Sequence, residues 1–511
     1  MKYLNLISEA SSCWNRWADF RSRRDRCKRY AFGKQWDDMV TVDGERMTEE
    51  EYIRRQGSVP LKNNLIRRLV RNVVGVFRRE ESIPVAVARD PDEDYFAEIA
   101  TRLLEANHSV NRLSELNART LEEYLISGLA VYRKWYGMKN GHLDVWTDYV
   151  HPCSFFADIP ADDFRGWDVS LVGQLHNFTF GELCSRFAHD KDSCARLRSL
   201  YFNKEGESVA AAPFSSPSDS FSNAPEGLCR VIEIWKREPH EYWLRHDRKS
   251  ASLRRLTTSQ YEKCDDKDKP DVEYHWRMET VWNYYFLTPQ GDVLSHGVTP
   301  YKHGSHPFVF KGYPLIDGEL HSFVGDVIDQ QRYTNRLITL YDWIMRSTAK
   351  GVLLFPEGAL PEGAALQDVA AEWSRFNGVI SYRARPGVPL PQQVSSNAAN
   401  IGITELLDIQ LRMFEEISGV SSALQGKLES GSVSGTLFNQ QTKNALTSLN
   451  DLIESFKSFL AEGAMIDLRN IRQFYKPEKV AAIAGKGGTV TAFNSPIFGN
   501  MEQDFTISFR S

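Results

Sequence analysis

The stretch that decides the fold is residues 323–349, FVGDVIDQQRYTNRLITLYDWIMRSTA. Its apolar side chains recur with the period of an α-helix and share one stripe: Val324, Val327, Ile328, Leu337, Ile338, Tyr341, Ile344 and Met345. At about 1.5 Å of rise per residue, this pattern predicts a helix of about 40 Å. Such a helix is long for a globular domain.

A small unit and two more helices are predicted to follow. Residues 352–355 and 379–382 favour strands on either side of a short helix at 366–376, and the unit is closed by Pro386, Pro389 and Pro391. A second helix is predicted at 401–417, then a glycine-rich link, then a helix from Thr436 to about Tyr475 with a possible kink at Gly463. Two helices that carry an insertion at their far end cannot bury both their sides alone. Copies of the chain packed side by side would cover the remaining surface.

The rest of the chain favours mixed helix and strand. Helices are predicted at 9–30, with a basic outer face, and at 64–79. Residues 131–136 and 143–146 form a predicted hairpin across Asn140-Gly141, since Asn-Gly favours tight hairpin turns. Further strands are predicted at 231–236, 281–287, 488–493 and 505–509, with a mobile surface excursion at 205–227 and a solvated loop at 263–271. The fold class is therefore α+β, with several units.

Composition narrows the class of protein. The chain has 511 residues, of which 42% are hydrophobic, and a formal net charge of -5. That charge argues against a protein that grips nucleic acid over its whole surface. No run approaches the roughly 18 apolar residues of a membrane helix, and residues 1–7 are too short for a signal peptide. The seven cysteines form no CxxC motif, which favours reduced thiols in the compartment where the protein is made.

Short motifs along the chain resemble those of the portal proteins of tailed bacteriophages. The matching positions are Lys62 to Ile66, Ser127 to Ala130, Val150 to Asp158, Val231 to Trp235, His306 to Phe308, Tyr313-Pro314, Asp317-Gly318, Gln330-Gln331, Asn335, Ile417 to Val420, Leu424, Gly426, Ser434-Gly435 and Gln440-Gln441. Their order and spacing carry the resemblance from about residue 63 to residue 509.

The resemblance implies an elongated, non-enzymatic, multi-domain subunit of a ring, usually of about twelve copies. It implies a wing at 1–317, a first stem helix at 318–350, a clip at 351–397, a second stem helix at 398–419 and a tunnel loop at 420–435. A long kinked helix at 436–475 would return to the wing, and strands would follow at 476–511. Many relatives continue into a helical crown, whereas this sequence stops at Ser511 soon after a predicted strand. We therefore expect either that the crown is minimal or missing, or that the given chain is truncated.

The resemblance also implies partners and places. The ring would sit at a capsid vertex of the virion after assembly in the bacterial cytoplasm, and would serve DNA packaging, genome retention and ejection. Its partners would be other copies, double-stranded DNA, the terminase large subunit, the head-to-tail adaptor, and the major capsid and scaffolding proteins, with no membrane and no cofactor.

Three groups of residues are candidates for these contacts. The tunnel loop would contain Gly426, Lys427, Ser430, Gly431, Ser432 and Gly435. Stem charges near DNA would be Arg332, Arg336, Arg346 and Lys350, and the clip docking surface would include Glu357, Glu362, Arg383 and Arg385. Lys427 has an equally good interpretation as an ordinary exposed lysine.

The sequence also contains residues that suggest other chemistries. The acidic group Asp158, Asp162, Asp163 and Glu182 suggests a two-metal nuclease or recombinase site, although turn residues there favour a plain acidic loop. Cys184, His189 and Cys194 lack a fourth zinc ligand, and residues 485–489 lack the spacing of a phosphate loop. The basic group Arg67, Arg68, Arg71, Arg78 and Arg79 suits a solvated helix face or a subunit contact better than phosphate binding. An oligomeric scaffold without a DNA path is the third hypothesis. No catalytic or metal-binding residue is expected.

Overall fold

The computed structural model is a mixed α and β protein, as the sequence predicts. It describes residues 3–79, 83–88, 94–158, 163, 165–202, 220–249, 252–264, 271–313, 315–316, 318–350, 352–361, 363–374, 378–394, 402–420, 435–485 and 505–510. Among these residues, no helix is long and apolar enough to cross a lipid bilayer.

The helices and strands are numbered along the chain. The first half contains α1 (Leu4–Arg16), α2 (Ala18–Ala31), β1 (Met39–Val42), β2 (Glu45–Thr48), α3 (Glu49–Arg55), α4 (Leu65–Arg79), β3 (Ile83–Ala88), α5 (Asp94–Val110), α6 (Leu113–Ser127), β4 (Leu129–Lys139), β5 (His142–Tyr149), β6 (Phe155–Ala157), β7 (Leu171–Phe178), α7 (Phe180–Phe187), α8 (Lys191–Tyr201) and β8 (Cys229–Asp247). The second half contains β9 (Ser252–Leu256), α9 (Thr258–Glu262), β10 (Val272–Leu287), β11 (Val293–Val298), β12 (Phe308–Gly312), β13 (Leu315–Ile316), β14 (Glu319–Leu320), α10 (Ile328–Lys350), β15 (Val352–Leu354), α11 (Leu366–Ser374), β16 (Gln392–Val394), α12 (Ile403–Ser418), α13 (Gly435–Phe474), α14 (Pro477–Ala484) and β17 (Phe505–Arg510).

The chain divides into two compact units. The first contains Met1–Lys28, Val70–Gly325 and Ser432–Ser511, and the second contains Arg29–Leu69 and Asp326–Gly431. Residues 29–69, which the resemblance assigns to the wing, therefore cluster with the segment that the resemblance assigns to the stem helices and the clip.

The first unit is built on an antiparallel sheet with strand order β11-β10-β8-β7-β6, to which β9 adds beside β8. Strand β10 pairs over its full length with residues 232–247 of β8, from Val272 opposite Asp247 to Leu287 opposite Ile232. Both extend well beyond the predicted strands at 231–236 and 281–287. Their inner halves are buried around Trp235 and Tyr285. The outer half of β10 is exposed at residues 275–280, whereas that of β8 is mostly half-buried.

A second sheet in the first unit has the order β12-β4-β5. The predicted hairpin is confirmed, with Lys139 opposite His142 across Asn140 and Gly141. Both turn residues have positive φ, 53° and 77°, which is the backbone that Asn-Gly adopts readily.

The N-terminal prediction of one helix is wrong, and the predicted basic outer face holds for cations such as Arg23 and Lys28 but not for Arg21 and Arg24. Two helices, α1 and α2, meet at Trp17, which is 5% exposed and donates its indole N–H to the Ala157 carbonyl at 3.1 Å. Arg21 and Arg24 are buried, the first over the Trp14 ring and the second in a bidentate pair with Glu123 at 2.8 and 2.9 Å. These two arginines stabilise the interior because aromatic and carboxylate groups match their guanidinium planes.

The long helix α13 is continuous through Gly463, where a kink was predicted. A Cβ at Gly463 would lie 3.3 Å from the Lys134 side chain, so the missing side chain makes room for that lysine. Leu452, Phe456 and Phe459 form part of the buried face of α13. The chain ends in a strand as predicted: β17 pairs with β3, from Phe505 opposite Ala88 to Arg510 opposite Ile83. The predicted strand at 488–493 lies outside the described residues.

The predicted excursion at 205–227 is anchored at its end. Residues 203–219 lie outside the described part of the chain. Phe221 and Ala224 are 6% and 1% exposed, and Arg230 donates to the carbonyls of Ser220 and Asn223. Residues 220–227 are therefore packed rather than mobile, because an apolar ring and a guanidinium hold them.

Candidate functional site

A helical hairpin dominates the second unit. Helices α10 and α12 pack against each other, and their buried residues include Leu337 on α10 and Ile403 and Phe414 on α12. Their bounds match the predicted helices at 323–349 and 401–417 closely, with α10 preceded by a 3-10 turn at Gly325–Val327. The pairing explains only part of their apolar stripe.

Ten large apolar side chains of these two helices stay more than one third exposed. They are Tyr333, Leu340, Tyr341, Trp343 and Met345 on α10, and Leu406, Ile409, Leu411, Met413 and Ile417 on α12. Single exposed apolar residues are ordinary, but so many on two neighbouring helices mark a surface for contact with another protein. At about 25 cal/mol for each Å² of apolar area, covering them would stabilise an assembly.

A polar row on α10 joins several residues of the sequence motifs. Gln331 accepts hydrogen bonds from the backbone N–H groups of Leu65 and Ile66, at 2.9 and 3.3 Å, and donates to the Asn63 carbonyl at 2.7 Å. Asn335 accepts from the Asn63 N–H at 3.1 Å. Gln331 therefore satisfies donors at the beginning of α4 that have no partner inside the helix.

Two residues that contribute to this polar contact, Thr339 on α10 and Gln35, belong to none of the sequence motifs. Thr339 accepts from the Leu61 N–H at 3.1 Å, and Gln35 accepts from the Asn335 amide at 2.7 Å. Gln331, Asn335 and Thr339 lie four residues apart, so they share one face of α10. All three are buried, which joins the segment before α4 firmly to this helix.

The predicted stem charges are partly engaged within the second unit. Arg332 and Arg336 both donate to Oε1 of Glu49 at 2.5 Å, and Glu49 is 3% exposed. Burial lowers the pKa of Arg332, but the hydrogen bond to Glu49 outweighs it, so the pKa lies above its ordinary value. The Arg336 side chain remains 54% exposed, against 25% for Arg332. Arg336 is thus the more accessible of the two cations; Arg346 and Lys350 belong to α10, but their side chains lie outside the description.

The small unit between the helices differs from the prediction in one strand. Strand β15 pairs with β16, from Val352 opposite Val394 to Leu354 opposite Gln392. The strand predicted at 379–382 is wrong: those residues pair with no strand, and Val379 is 84% exposed. Its apolar run suggested a strand, but a strand needs a partner, and the more polar Gln392–Val394 occupies that place.

The docking residues proposed in this unit lie on its surface. Glu357, Arg383 and Arg385 are exposed, and the Arg383 N–H donates to the Ala359 carbonyl at 2.9 Å. That bond brings the 3-10 turn Glu357–Ala359 and Arg383 to the same part of the unit. Glu362 lies outside the described residues, as do the tunnel-loop residues Gly426, Lys427, Ser430, Gly431 and Ser432, while Gly435 begins α13.

The described acidic residues of the nuclease alternative all form hydrogen bonds with neighbouring groups of the fold. Asp158 accepts from Arg16 at 3.2 Å and from Ser170 at 2.9 Å. Asp163 accepts from the Arg165 side chain at 2.9 Å, which lowers the pKa of its carboxyl. Glu182 belongs to the capping box at the start of α7, where the Thr179 backbone and hydroxyl lower its pKa. Asp162 lies outside the described residues.

The zinc and phosphate-loop alternatives gain no support from the geometry. Cys184 and Cys194 lie 2.8 Å apart between their sulfur atoms, and burial raises the pKa of Cys184 to about 11. No group of three or more His, Cys, Asp or Glu side chains suited to a metal occurs in the described part of the chain. Gly485 follows α14 directly, and residues 486–489 lie outside the description.

A helical hairpin that carries a small unit and leaves apolar side chains exposed is typical of a structural subunit. Comparison with known proteins identifies the group. The model of the phage P22-like portal protein family matches residues 8–505, and the chain therefore belongs to that family. The predicted resemblance to phage portal proteins is confirmed. This is a structural family of the capsid vertex and not an enzyme family. No curated protein matches the sequence.

Proposed function

We propose that this chain forms the ring through which DNA enters and leaves the phage capsid. About twelve copies would surround an axial channel, as closed symmetric assemblies of one chain do. The observation that carries the proposal is the family match together with the uncovered apolar side chains of α10 and α12. In a ring, each hairpin would lie against the next, and these side chains would leave water.

The parts of the ring follow the two helices. Helices α10 and α12 would form the stem wall, and the unit at 351–397 would be the clip, which docks the terminase large subunit and later the head-to-tail adaptor. The first unit would supply most of the wing, in contact with the major capsid and scaffolding proteins. The link at 420–435 would be the tunnel loop that meets passing DNA.

The charges suit a conduit better than a tight DNA-binding protein. The net charge is -5, and Glu49 engages both Arg332 and Arg336. Each strong phosphate contact would hold DNA in place, since neutralised phosphates release counterions and raise affinity. A channel with few free cations would let the duplex slide during packaging and ejection.

The test is single-particle electron microscopy of the purified chain at several concentrations, with a count of subunits in each particle. Closed rings of about twelve copies with an axial opening wide enough for duplex DNA are the expected result. Closed assemblies without such an opening would favour a scaffold without a DNA path. Monomers or two-fold dimers at every concentration, also in the presence of scaffolding protein, would refute the conduit.

The tunnel loop has its own test. Replacing Gly431 and Gly435 together with Val should permit ring assembly but reduce DNA filling of capsids, because Val excludes the backbone conformations that only glycine adopts freely. Normal filling by rings of this variant would contradict the role of the loop. The matched control replaces Gly181 with Val, a site in the first unit where a side chain meets open space.

A further inference from the structure

Two cysteines of the first unit lie close enough to react with each other. Cys184 is on α7 and Cys194 is on α8, and their Sγ atoms are 2.8 Å apart. Two carbon atoms in van der Waals contact lie about 3.5–4.0 Å apart, and sulfur is the larger atom. A disulfide bond is about 2.0 Å long, so the two sulfur atoms need to approach each other by less than about 1 Å to form one.

Hydrogen bonds that do not involve sulfur hold the backbone around both cysteines. Thr179 caps α7 and Asp190 caps α8, each in a capping box. The Ala188 N–H donates to the Cys184 carbonyl at 2.9 Å, and the Cys194 N–H donates to the Asp190 carbonyl at 3.2 Å. The short connection between the helices therefore presents the two thiols side by side. Such positioning gives one group a high effective concentration at the other.

Both thiols are accessible to a small oxidant. Cys184 and Cys194 are half-buried, whereas Cys13, Cys153 and Cys229 are buried. Burial nevertheless raises the pKa of Cys184 to about 11, so its reactive thiolate is scarce at neutral pH. Oxidation of this pair should therefore take minutes to hours, at the slow end of the range for disulfide formation.

We propose that Cys184 and Cys194 form a disulfide after the virion has left the reducing cytoplasm of its host. Disulfides are rare in the cytosol and persist in oxidising surroundings outside the cell. The bond would close the loop of residues 184–194 and tie α7 to α8. The inference goes beyond the DNA conduit, because it assigns a covalent modification to two residues outside the stem and the clip. Only its timing rests on the proposed place of the chain in the virion.

The reaction needs a two-electron oxidant, and a hydroperoxide such as hydrogen peroxide supplies it. The sulfur of the first thiol attacks the peroxide: an S–O bond forms, the O–O bond breaks, and the departing hydroxide takes the thiol proton and leaves as water. The second thiol then attacks the sulfenic sulfur. The S–S bond forms, the S–O bond breaks, and hydroxide leaves with the second proton as water. The two sulfur atoms together lose the two electrons that reduce one peroxide to two water molecules.

Mass spectrometry of the full-length chain tests the bond directly. The chain is reduced, freed of reductant, treated with hydrogen peroxide, alkylated with N-ethylmaleimide and digested with trypsin. Trypsin cleaves after Arg186 and Lys191, so the disulfide joins two peptides whose combined mass is lower by two hydrogen atoms. We expect this linked pair to be at least about tenfold more abundant than any other disulfide of the chain, because its thiols are already in contact.

Another cysteine serves as the internal standard for access of the oxidant. Cys264 is also half-buried, but its sulfur lies 3.2 Å from the Gln260 carbonyl oxygen. Unlinked Cys184 and Cys194 in a sample where Cys264 has been oxidised would overturn the proposal. A disulfide from Cys184 to Cys229 as the main product would overturn it as well.

A serine variant tests the role of the second thiol. In Cys194→Ser, oxidation of Cys184 should stop at the sulfenic acid, which dimedone traps. The dimedone adduct on Cys184 should be at least about tenfold more abundant than in the wild type, where Cys194 removes the sulfenic acid. Cys264→Ser is the matched control and should give as much disulfide as the wild type. Equal amounts of the adduct in Cys194→Ser and the wild type would contradict the assignment of Cys194.

Hydrogen exchange tests what the bond does to the fold. Oxidation should slow the exchange of backbone amides in residues 180–201 at least about tenfold, because a short closed loop restricts local opening. Cys194→Ser should show no change on oxidation. Unchanged exchange in wild-type chain that carries the bond would refute the restraint of α7 by α8.

Phage particles test the timing. Both thiols should be free in chain that is alkylated directly after lysis of infected cells, and linked in purified particles. Free thiols in the particles would overturn the timing. Ring formation is scored separately by electron microscopy, so failure of the disulfide and failure of the conduit are distinguished.

Discussion

Replacing Lys134 with Met should destabilise the first unit by about 3–5 kcal/mol, because it leaves a buried carboxylate without its partner. Lys134 lies on β4 and Asp467 on α13, with side chains 3% and 2% exposed. The ammonium donates to Asp467 at 2.5 Å and to the Thr147 hydroxyl at 2.8 Å. The second oxygen of Asp467 is buried and accepts from no described residue, so nothing there compensates for the loss.

The expected effect on thermal unfolding follows from that free energy. A change of 1 kcal/mol moves Tm by about 2–4 °C in a domain of about 150–250 residues, and by less in a larger unit. We therefore expect Tm of Lys134→Met to fall by roughly 5–10 °C. Differential scanning fluorimetry of the monomer measures this. The double variant with Asp467→Leu should recover most of the loss, since an apolar pair can replace a buried ion pair.

The pH dependence gives the reasoning a second test. Burial raises the pKa of Asp467 in spite of the nearby Lys134, and without the lysine it should rise further. A raised pKa in the folded state means that the protonated form is favoured by folding, so stability is lost as pH rises through that pKa. The Tm deficit of Lys134→Met should accordingly be smaller at pH 5 than at pH 8. A deficit below about 1 °C, or no recovery in the double variant, would refute this account.

Three other outcomes follow from single sites. Gly128→Ala should lower the free energy of unfolding by more than about 1 kcal/mol, because Gly128 has φ of 80° and its Cβ would lie 2.5 Å from a backbone oxygen. Gly141→Ala, at φ of 77° but with open space around the Cβ, should lower it by about 1 kcal/mol only. Equal losses for the two variants in urea unfolding would contradict this. Burial lowers the pKa of His306 to about 3, so below about pH 6.5 the imidazole becomes protonated in the unfolded chain but not in the folded chain, and the fold loses stability. Between pH 7 and pH 4, the Tm of His306→Gln should therefore fall less than the Tm of the wild type. Parallel Tm curves for the two proteins would exclude His306 as the cause. Met413 and Ile417 are 45% and 48% exposed, so replacing either with Glu should change the Tm of the monomer by less than about 2 °C. Each replacement should abolish the rings seen by electron microscopy. Rings of normal size would contradict the proposed stem contact.

The sequence predicted the helices of this protein better than its long strands. Helices α10, α12 and α13 have apolar stripes at a clear helical period, and their predicted bounds agree with the structure within a few residues. The sequence did not predict the outer halves of β8 and β10 because few side chains are fully buried there, so no continuous apolar run marks a strand. Residues such as Val272 are in a strand because they pair with β8, here with Asp247, and the local sequence pattern does not show this pairing.

Candidate site residues were harder to predict because their contacts are distant in sequence. The motif residues Gln331 and Asn335 were noticed, but their partners around residue 63 lie more than 260 positions away. The sequence gives no sign of the role of Glu49: it is the first residue of α3, beside the capping box of Thr48 and Glu51, and nothing there shows that two arginines of α10 pair with it. The assignments of DNA-facing and docking residues remain predictions.

The row of Gln331, Asn335 and Thr339 has a mechanical consequence for α10. A helix that slides by one turn, about 5.4 Å, moves each side chain to the place of the residue four positions away. Here the three side chains differ in length and in the number of donors, so Asn335 cannot replace Gln331 at its two backbone N–H groups. The row therefore fixes one register between α10 and residues 61–66. A force along the axis of α10 would be transmitted through these hydrogen bonds to the start of α4.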